Sequence, residues 1–373
     1  MKIVLTGGGT AGHVTPALAI AETLLENDPG AEILYIGTPN GMEKRLAEKE
    51  GYRYASVRAA GFSRSLSPKN IRSLWYALVS PVRAERILRL FAPDLVVGTG
   101  GYVCYPVLCA AARLGIPCAL HESNALPGLA TRRLARRVDL VMLNFAEAAG
   151  ALPEGTHTLR TGNPVRKGFR TQNRADSRRA LGIPEKARLI LSFGGSLGAQ
   201  AINRAALLLT EKYALPRQDV YQIHGSGTRY REETEREIAA RFGPLPRRIR
   251  YSAYLDNMPV LMAAADLLIC RAGAMTVTEA ALSGRATLLI PSPNVAGNHQ
   301  TKNALAMAHA GGAVLLRESE LNETTLLAAV ERILCHPGEQ ERMEKAARRF
   351  AVPDANRRIY ETLLSLVGKC RNG

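Results

Sequence analysis

Ile3-Val4-Leu5-Thr6-Gly7-Gly8-Gly9-Thr10-Ala11-Gly12-His13 is the stretch that decides the fold. Its apolar run has the pattern of a strand buried on both faces of a parallel sheet. The glycines that follow let backbone N–H groups approach a ligand at the strand's end. The same device returns at Leu189-Ile190-Leu191-Ser192-Phe193-Gly194-Gly195-Ser196-Leu197-Gly198. A second pair matches as well, Asp94-Leu95-Val96-Val97-Gly98-Thr99-Gly100-Gly101 and Asp266-Leu267-Leu268-Ile269-Cys270-Arg271-Ala272-Gly273. Two such halves predict an α/β protein with two Rossmann-like, doubly wound parallel-sheet domains facing a cleft.

Outward from these runs, strand and helix patterns alternate. In the first half, strands are expected at 2–6, 32–36, 94–97, 117–120 and 139–143, with helices near 16–27, 41–50, 71–91, 103–114 and 127–137. The pattern restarts with strands near 188–193, 219–224, 249–251, 266–270, 286–290 and 313–316. The turn-rich segment Thr161-Gly162-Asn163-Pro164-Val165-Arg166 marks the junction. The expected domains are therefore 1–162 and 163–350, with a helical tail over about 351–373 packing back on the first.

The 373 residues suffice for two domains of ordinary size, and the 46% hydrophobic content is that of a globular protein. A formal net charge of +16 predicts attraction to nucleic acid, an anionic membrane surface or anionic substrates. The six cysteines form no CxxC pair and most sit in apolar runs, which fits buried thiols in a reducing compartment. Only Met1-Lys2 precedes the first strand, so no leader is expected, and no apolar run reaches the roughly 18 residues of a spanning helix.

Gly7-x-Gly9-x-x-Gly12 formally matches a dinucleotide fingerprint, but such a site also wants an acidic residue at the carboxyl end of the second strand. Strand 32–36 runs instead into Gly37-Thr38-Pro39-Asn40. No GxxxxGK[ST] is present, so a P-loop is excluded. Thr15-Pro16 reads as a helix N-cap and first residue, which leaves His13 on a loop at the ligand-binding edge. His13 is either a loop histidine bonded to backbone or a proton acceptor. His121-Glu122-Ser123-Asn124 ends another strand and either faces the ligand edge or caps the next helix. Arg271-Ala272-Gly273-Ala274-Met275-Thr276-Val277-Thr278-Glu279 leads a glycine turn into a helix, with Glu279 in or near its first turn. A carboxylate there either suits a ribose diol or complements the helix dipole.

Together these motifs, with Gly162-Asn163-Pro164-Val165-Arg166 and Asn298-x-Gln300-x-x-Asn303-Ala304, resemble the family-28 glycosyltransferases of GT-B fold that convert lipid I to lipid II in peptidoglycan synthesis. The resemblance covers nearly the whole chain. It implies an inverting transfer of GlcNAc from UDP-GlcNAc to the MurNAc C4 hydroxyl of lipid I (undecaprenyl-pyrophosphoryl-MurNAc-pentapeptide), with no cofactor and no metal. A transfer of this kind needs a general base, and His13, at the strand's carboxyl end beside a glycine loop, is the candidate, with Glu122 next in line. It places Ser196 at the donor diphosphate, Arg166 near the nucleotide and Leu255 by the uracil. Ala274, Met275, Thr276, Val277 and Thr278 contact nucleotide and phosphates, and Glu279 the ribose. Gln300 reads the GlcNAc hydroxyls, Asn124 reaches in from the first domain, and Thr10, Ala11 and Gly12 border the acceptor. Ala11, Ser123 and Leu197 depart from the commonest family residues, and Leu197 receives no role. The rival of the same class is another GT-B UDP-sugar transferase.

Ile71, Leu74, Trp75, Leu78 and Val82 form one helical stripe, with Lys69, Arg72, Arg83, Arg86 and Arg89 around it. Such a stripe is ordinarily core, and Pro81 predicts a break into two short helices. The resemblance implies instead a peripheral docking patch on the anionic cytoplasmic membrane face. Two further rivals are a nicotinamide oxidoreductase and a nucleic-acid-binding protein. The paired arginines at 132–133, 136–137, 247–248 and 348–349 show no aromatic interleaving, so no nucleic-acid partner is expected.

Overall fold

In the computed structural model, which describes residues 1–61 and 68–371, the four apolar runs that end in glycine loops form the central strand pairs of two sheets. The first sheet contains β1 (Lys2–Thr6), β2 (Glu32–Gly37), β3 (Arg53–Ser56), β4 (Leu95–Gly98), β5 (Cys118–Glu122), β6 (Leu140–Leu143) and β7 (Thr158–Arg160). Its order is β3-β2-β1-β4-β5-β6-β7. The second contains β8 (Arg188–Phe193), β9 (Val220–Gly225), β10 (Ile249–Ser252), β11 (Leu267–Cys270), β12 (Ala286–Leu289) and β13 (Ala313–Leu315), in the order β10-β9-β8-β11-β12-β13. All pairings are parallel, with Thr6 opposite Gly98 at the β1/β4 switch point and Phe193 opposite Cys270 at β8/β11. Ligands of such sheets bind beyond the carboxyl ends at the switch point, which is where all four glycine loops lie.

The edge strands β3 and β7 were not expected. Their sequences, Arg-Tyr-Ala-Ser and Thr-Leu-Arg, are half-buried or exposed, so they lack the apolar run that marks a central strand.

One unit comprises residues 1–167 and 352–373, the other 168–351. The break falls five positions later than the sequence reading placed it, after Lys167 instead of Gly162. Asn356 explains the shift. Its amide accepts from Val165 N at 3.1 Å and donates to Val165 O at 2.9 Å and Thr23 Oγ1 at 2.7 Å, holding residues around 165 in the first unit. Asn356 lies on the helix Ala355–Arg371, whose Ile359, Leu363 and Val367 are buried in the same core as Ile20 and Leu24 of the helix Ala11–Asn27. Each such side chain contributes about 1.5–3 kcal/mol on burial.

Two helix expectations change. The first helix starts at Ala11, not after His13, with Thr10 in extended conformation as its N-cap. Pro16 therefore sits inside it. The missing N–H leaves the Gly12 carbonyl without its helical donor, and Gly12 is exposed to solvent. The helix Pro68–Phe91 runs continuously through Pro81. Its buried face is Ala84, Leu88 and Phe91, while Arg83, Arg86 and Arg89 are exposed. No helix among the described residues is long and apolar enough to cross a membrane.

Candidate active site

In the first unit, the loops after β1 and β4 meet backbone to backbone. Gly8 N donates to Gly100 O at 3.3 Å. Gly101 has φ +83°, and a Cβ there would lie 2.1 Å from Gly8 O, so only glycine permits the approach. Against this double loop stands His13, half-buried in the first turn of its helix. Its Nδ1 lies 3.1 Å from Gly8 O and 3.2 Å from Thr10 Oγ1, and Thr99 Oγ1 donates to its carbonyl at 2.6 Å. A carbonyl only accepts, so Nδ1 carries the proton. With Nδ1 so engaged, Nε2 is the ring nitrogen that remains to exchange a proton. Thr10, Ala11 and Gly12 are exposed beside it at the helix N-terminus.

Glu43 lies beneath the same loop, fully buried. Its Oε1 accepts from Thr38 N at 2.9 Å and Thr38 Oγ1 at 2.6 Å, and its Oε2 from Gly9 N at 3.4 Å. The fold thus does supply a carboxylate at the end of β2, which strand order alone did not reveal. It is enclosed and bonded to the loop, so it is closed to the ribose of a nicotinamide dinucleotide. A single glutamate in the helix Met42–Lys49 carries no sequence signal for this role.

His121 and Glu122 belong to β5 and are buried. His121 Nε2 donates to Gly162 O at 2.9 Å, and burial lowers its pKa. Glu122 accepts four hydrogen bonds: from Asn124 N at 3.0 Å, Asn124 Nδ2 at 3.1 Å, Gly128 N at 3.0 Å and Thr131 Oγ1 at 2.6 Å. A carboxylate enclosed by four donors caps the helix Leu129–Leu134 and orients Asn124. Arg166 belongs to the first unit, where Glu50 holds it at 3.1 and 3.2 Å and Glu22 at 3.5 Å.

In the second unit, Ser196 is exposed on the Gly194–Gly198 loop, ahead of the helix Gln200–Leu209. The loop is braced by the segment after β9, where Thr228 N donates to Ser196 O at 3.2 Å. Leu255 covers the end of β9, its Cδ1 2.9 Å from where a Gly225 Cβ would stand. The helix Ala274–Ser283 begins directly at the β11 glycine turn. Val277 is fully buried and Ala274, Met275 and Thr278 nearly so, so these side chains are withdrawn from solvent. Glu279 is the sixth helical residue, beyond the first turn, and burial pushes its carboxyl up to about 8. Gln300 Oε1 accepts from Ser292 N at 2.8 Å, leaving the amide NH2 to donate. Arg271, quoted above only within its motif, is anchored by Glu318 and donates to Ile290 O at 3.1 Å.

The helical stripe is outside the core where it is described. Trp75 is 62%, Leu78 67% and Val82 64% exposed, which removes the core reading for these three. The side chains of Ile71 and Leu74 lie outside the described residues.

Residues 3–143 match the glycosyltransferase family 28 N-terminal domain, and residues 189–359 the family's C-terminal domain. The chain is similar to the UDP-N-acetylglucosamine–N-acetylmuramyl-(pentapeptide) pyrophosphoryl-undecaprenol N-acetylglucosamine transferase of Halalkalibacterium halodurans, 39% identical over 96% of this chain and 98% of that one. The protein of the same name from Desulforudis audaxviator is 38% identical over 99% of both. Among solved structures, MurG of Acinetobacter baumannii superposes with a TM-score of 0.76 at 29% identity, over 98% of this chain and 99% of that one. A UDP-GlcNAc 2-epimerase from Neisseria meningitidis shares the fold, with a TM-score of 0.67 at 15% identity over 98% of this chain and 100% of that one.

Proposed function

The chain belongs to glycosyltransferase family 28, and from that premise we propose that it transfers GlcNAc from UDP-GlcNAc to the MurNAc C4 hydroxyl of lipid I, forming lipid II. Its relatives carry that activity in their names at 38–39% identity across nearly their whole length. The observation in the site that supports it best is the 3.1 Å contact of His13 Nδ1 with Gly8 O, which assigns the ring proton to Nδ1.

The acceptor oxygen attacks the anomeric carbon, and its proton goes to His13 Nε2. The bond from that carbon to the diphosphate oxygen breaks, UDP departs with the electron pair, and inversion gives a β-1,4 linkage. Negative charge developing on the diphosphate is met by N–H groups of the Gly194–Gly198 loop and the first turn of the Ala274–Ser283 helix, fixed dipoles that need no reorganisation. Glu279 is proposed to receive the ribose hydroxyls and Gln300 to donate to the sugar.

The test is UDP release from UDP-GlcNAc with and without a soluble lipid I analogue. Release that requires the analogue, together with a disaccharide product, is the expected result. Turnover of UDP-GlcNAc without any acceptor, as the epimerase fold neighbours would show, overturns it. Product with another hydroxyl acceptor and none with the analogue would establish a different UDP-sugar transferase.

Docking on an anionic membrane, at the cytoplasmic face, is proposed for the exposed Trp75, Leu78 and Val82 with Arg83, Arg86 and Arg89 beside them. Trp75→Ser/Leu78→Ser should melt close to the wild type, because both side chains are already in water. Each loses about 1.5–3 kcal/mol of burial in the interface, so binding to anionic vesicles should fall at least tenfold. Activity on a membrane-borne acceptor should fall with it, while activity on a short-chain analogue persists. Salt should weaken wild-type binding, since exposed charges are screened within about 10 Å at 0.1 M. A folded double variant that sediments with vesicles as the wild type does would remove the patch from docking.

A further inference from the structure

A chain of four buried polar groups runs under the glycine loop of the second unit. Ser192 Oγ, on β8, lies 2.8 Å from His224 Nδ1, on β9. His224 Nε2 lies 3.1 Å from Asn203 Oδ1, in the first turn of the helix Gln200–Leu209. Asn203 Nδ2 donates to Ser226 O at 3.0 Å. All four residues are at least nine-tenths buried. The direction of each bond follows from chemistry. Ser226 O only accepts, so the Asn203 amide turns its NH2 that way and its oxygen toward the imidazole. Nε2 therefore carries the ring proton, and Nδ1 accepts the Ser192 hydroxyl proton.

The placement of this chain relative to the loop is the telling part. Ser192 stands two positions before Gly194 and Asn203 five after Gly198, so one imidazole ties both ends of the loop. The far end of the chain, Ser226 O, is also the wall against which Gly198 packs. A Cβ on Gly198 would lie 2.0 Å from that oxygen, and one on Gly227 would lie 2.1 Å from Gly198 Cα. The loop is thus held from its two ends and from beside. A core built only for burial would fill this space with apolar side chains, because polar groups sealed from water stabilise little on net balance.

We propose that His224 is a positioning residue for the donor, fixing the Gly194–Gly198 loop through Ser192 and Asn203 so that its N–H groups meet the diphosphate of UDP-GlcNAc. The inference rests on the proposed function, which supplies the diphosphate. A buried neutral ring suits the task. Burial drives the His224 pKa down to about 3, so its tautomer and its bonds do not change across the working pH range.

The experiment measures UDP affinity by calorimetry, KM for donor and for a lipid I analogue, and melting temperature, all on the full-length protein. His224→Phe deletes both bonds and should weaken UDP about tenfold or more and raise the donor KM alike, with the acceptor KM unchanged. His224→Gln places an amide N–H near the position of Nε2 and should recover most of that affinity by holding Asn203. Ser192→Ala removes a single hydroxyl and should weaken UDP about threefold, a milder variant that keeps the test open if His224→Phe does not fold. Folded variants that bind UDP as the wild type does, whatever their melting temperature, overturn the proposal. Equal losses for donor and acceptor, or no recovery with glutamine, overturn it too. Wild-type protein that does not bind UDP overturns the proposed function instead, so the two failures are distinct.

Discussion

His13→Ala is expected to lower kcat by about 10²–10⁴ while UDP affinity stays near the wild-type value. The contact with Gly8 O assigns the ring proton to Nδ1, so Nε2 is the nitrogen proposed to accept the acceptor's proton. The backbone carbonyl of His13 keeps its bond from Thr99 in the alanine variant, so the loop loses one brace and not two. His13→Asn separates the two roles of the ring. Its amide N–H reproduces the bond to Gly8 O but offers no basic nitrogen, so it should be as slow as alanine. A rate restored by asparagine would make His13 a loop brace and move the base elsewhere. Glu122 is not the successor, because its two oxygens already accept four hydrogen bonds.

That test turns on a detail the sequence misplaced. Thr15-Pro16 has the composition of an N-cap and first residue, yet the helix begins at Ala11. What wins is the tertiary context. The Thr10 carbonyl takes the N–H groups of His13 and Val14, and Val14 and Ala17 are buried against β1, which pulls the extra turn into the helix. His13 then points from a helix turn, a firmer mount than a loop. The central strands, by contrast, were legible because burial on both faces writes an unbroken apolar run. Edge strands β3 and β7 are half-buried or exposed and write none.

The same divide separates the candidate site residues. Glycines, His13 and Glu279 stand in motifs at strand ends, where residue type and position speak together. Glu43 and His224 are invisible by that measure. Each is a single polar residue in an ordinary helix or strand, and its meaning comes from what the fold packs against it: Gly9 and Thr38 for one, Ser192 and Asn203 for the other. Arg166 shows what a motif leaves out: its motif points to a nucleotide, and the fold adds that its guanidinium is held by Glu22 and Glu50 of its own unit.

The proposed ribose contact at Glu279 predicts a dependence on pH as well as on the side chain. Two ribose hydroxyls donate to a carboxylate, so binding favours the ionised form. Burial raises the Glu279 carboxyl to about 8 in the free protein, because a buried charge loses its water. Below that value a proton must leave before UDP binds. UDP affinity should therefore rise about tenfold per pH unit as pH approaches 8 and level off above it. Glu279→Gln has no such proton, so it isolates this step from the ionisation of UDP itself, and its affinity should follow only the latter. At pH 8.5, where the wild-type carboxylate is charged, Glu279→Ala should cost a charge-assisted hydrogen bond, about 1.5–3 kcal/mol, or roughly a tenfold to hundredfold loss of UDP affinity. Stability gives an independent check of sign. A carboxyl whose folded pKa exceeds its unfolded one stabilises the fold at low pH, and that contribution is lost as pH rises toward 8. The wild type should thus lose melting temperature relative to Glu279→Gln over that window. Parallel pH profiles of UDP affinity for wild type and Glu279→Gln, with alanine binding UDP normally, would take Glu279 out of the site.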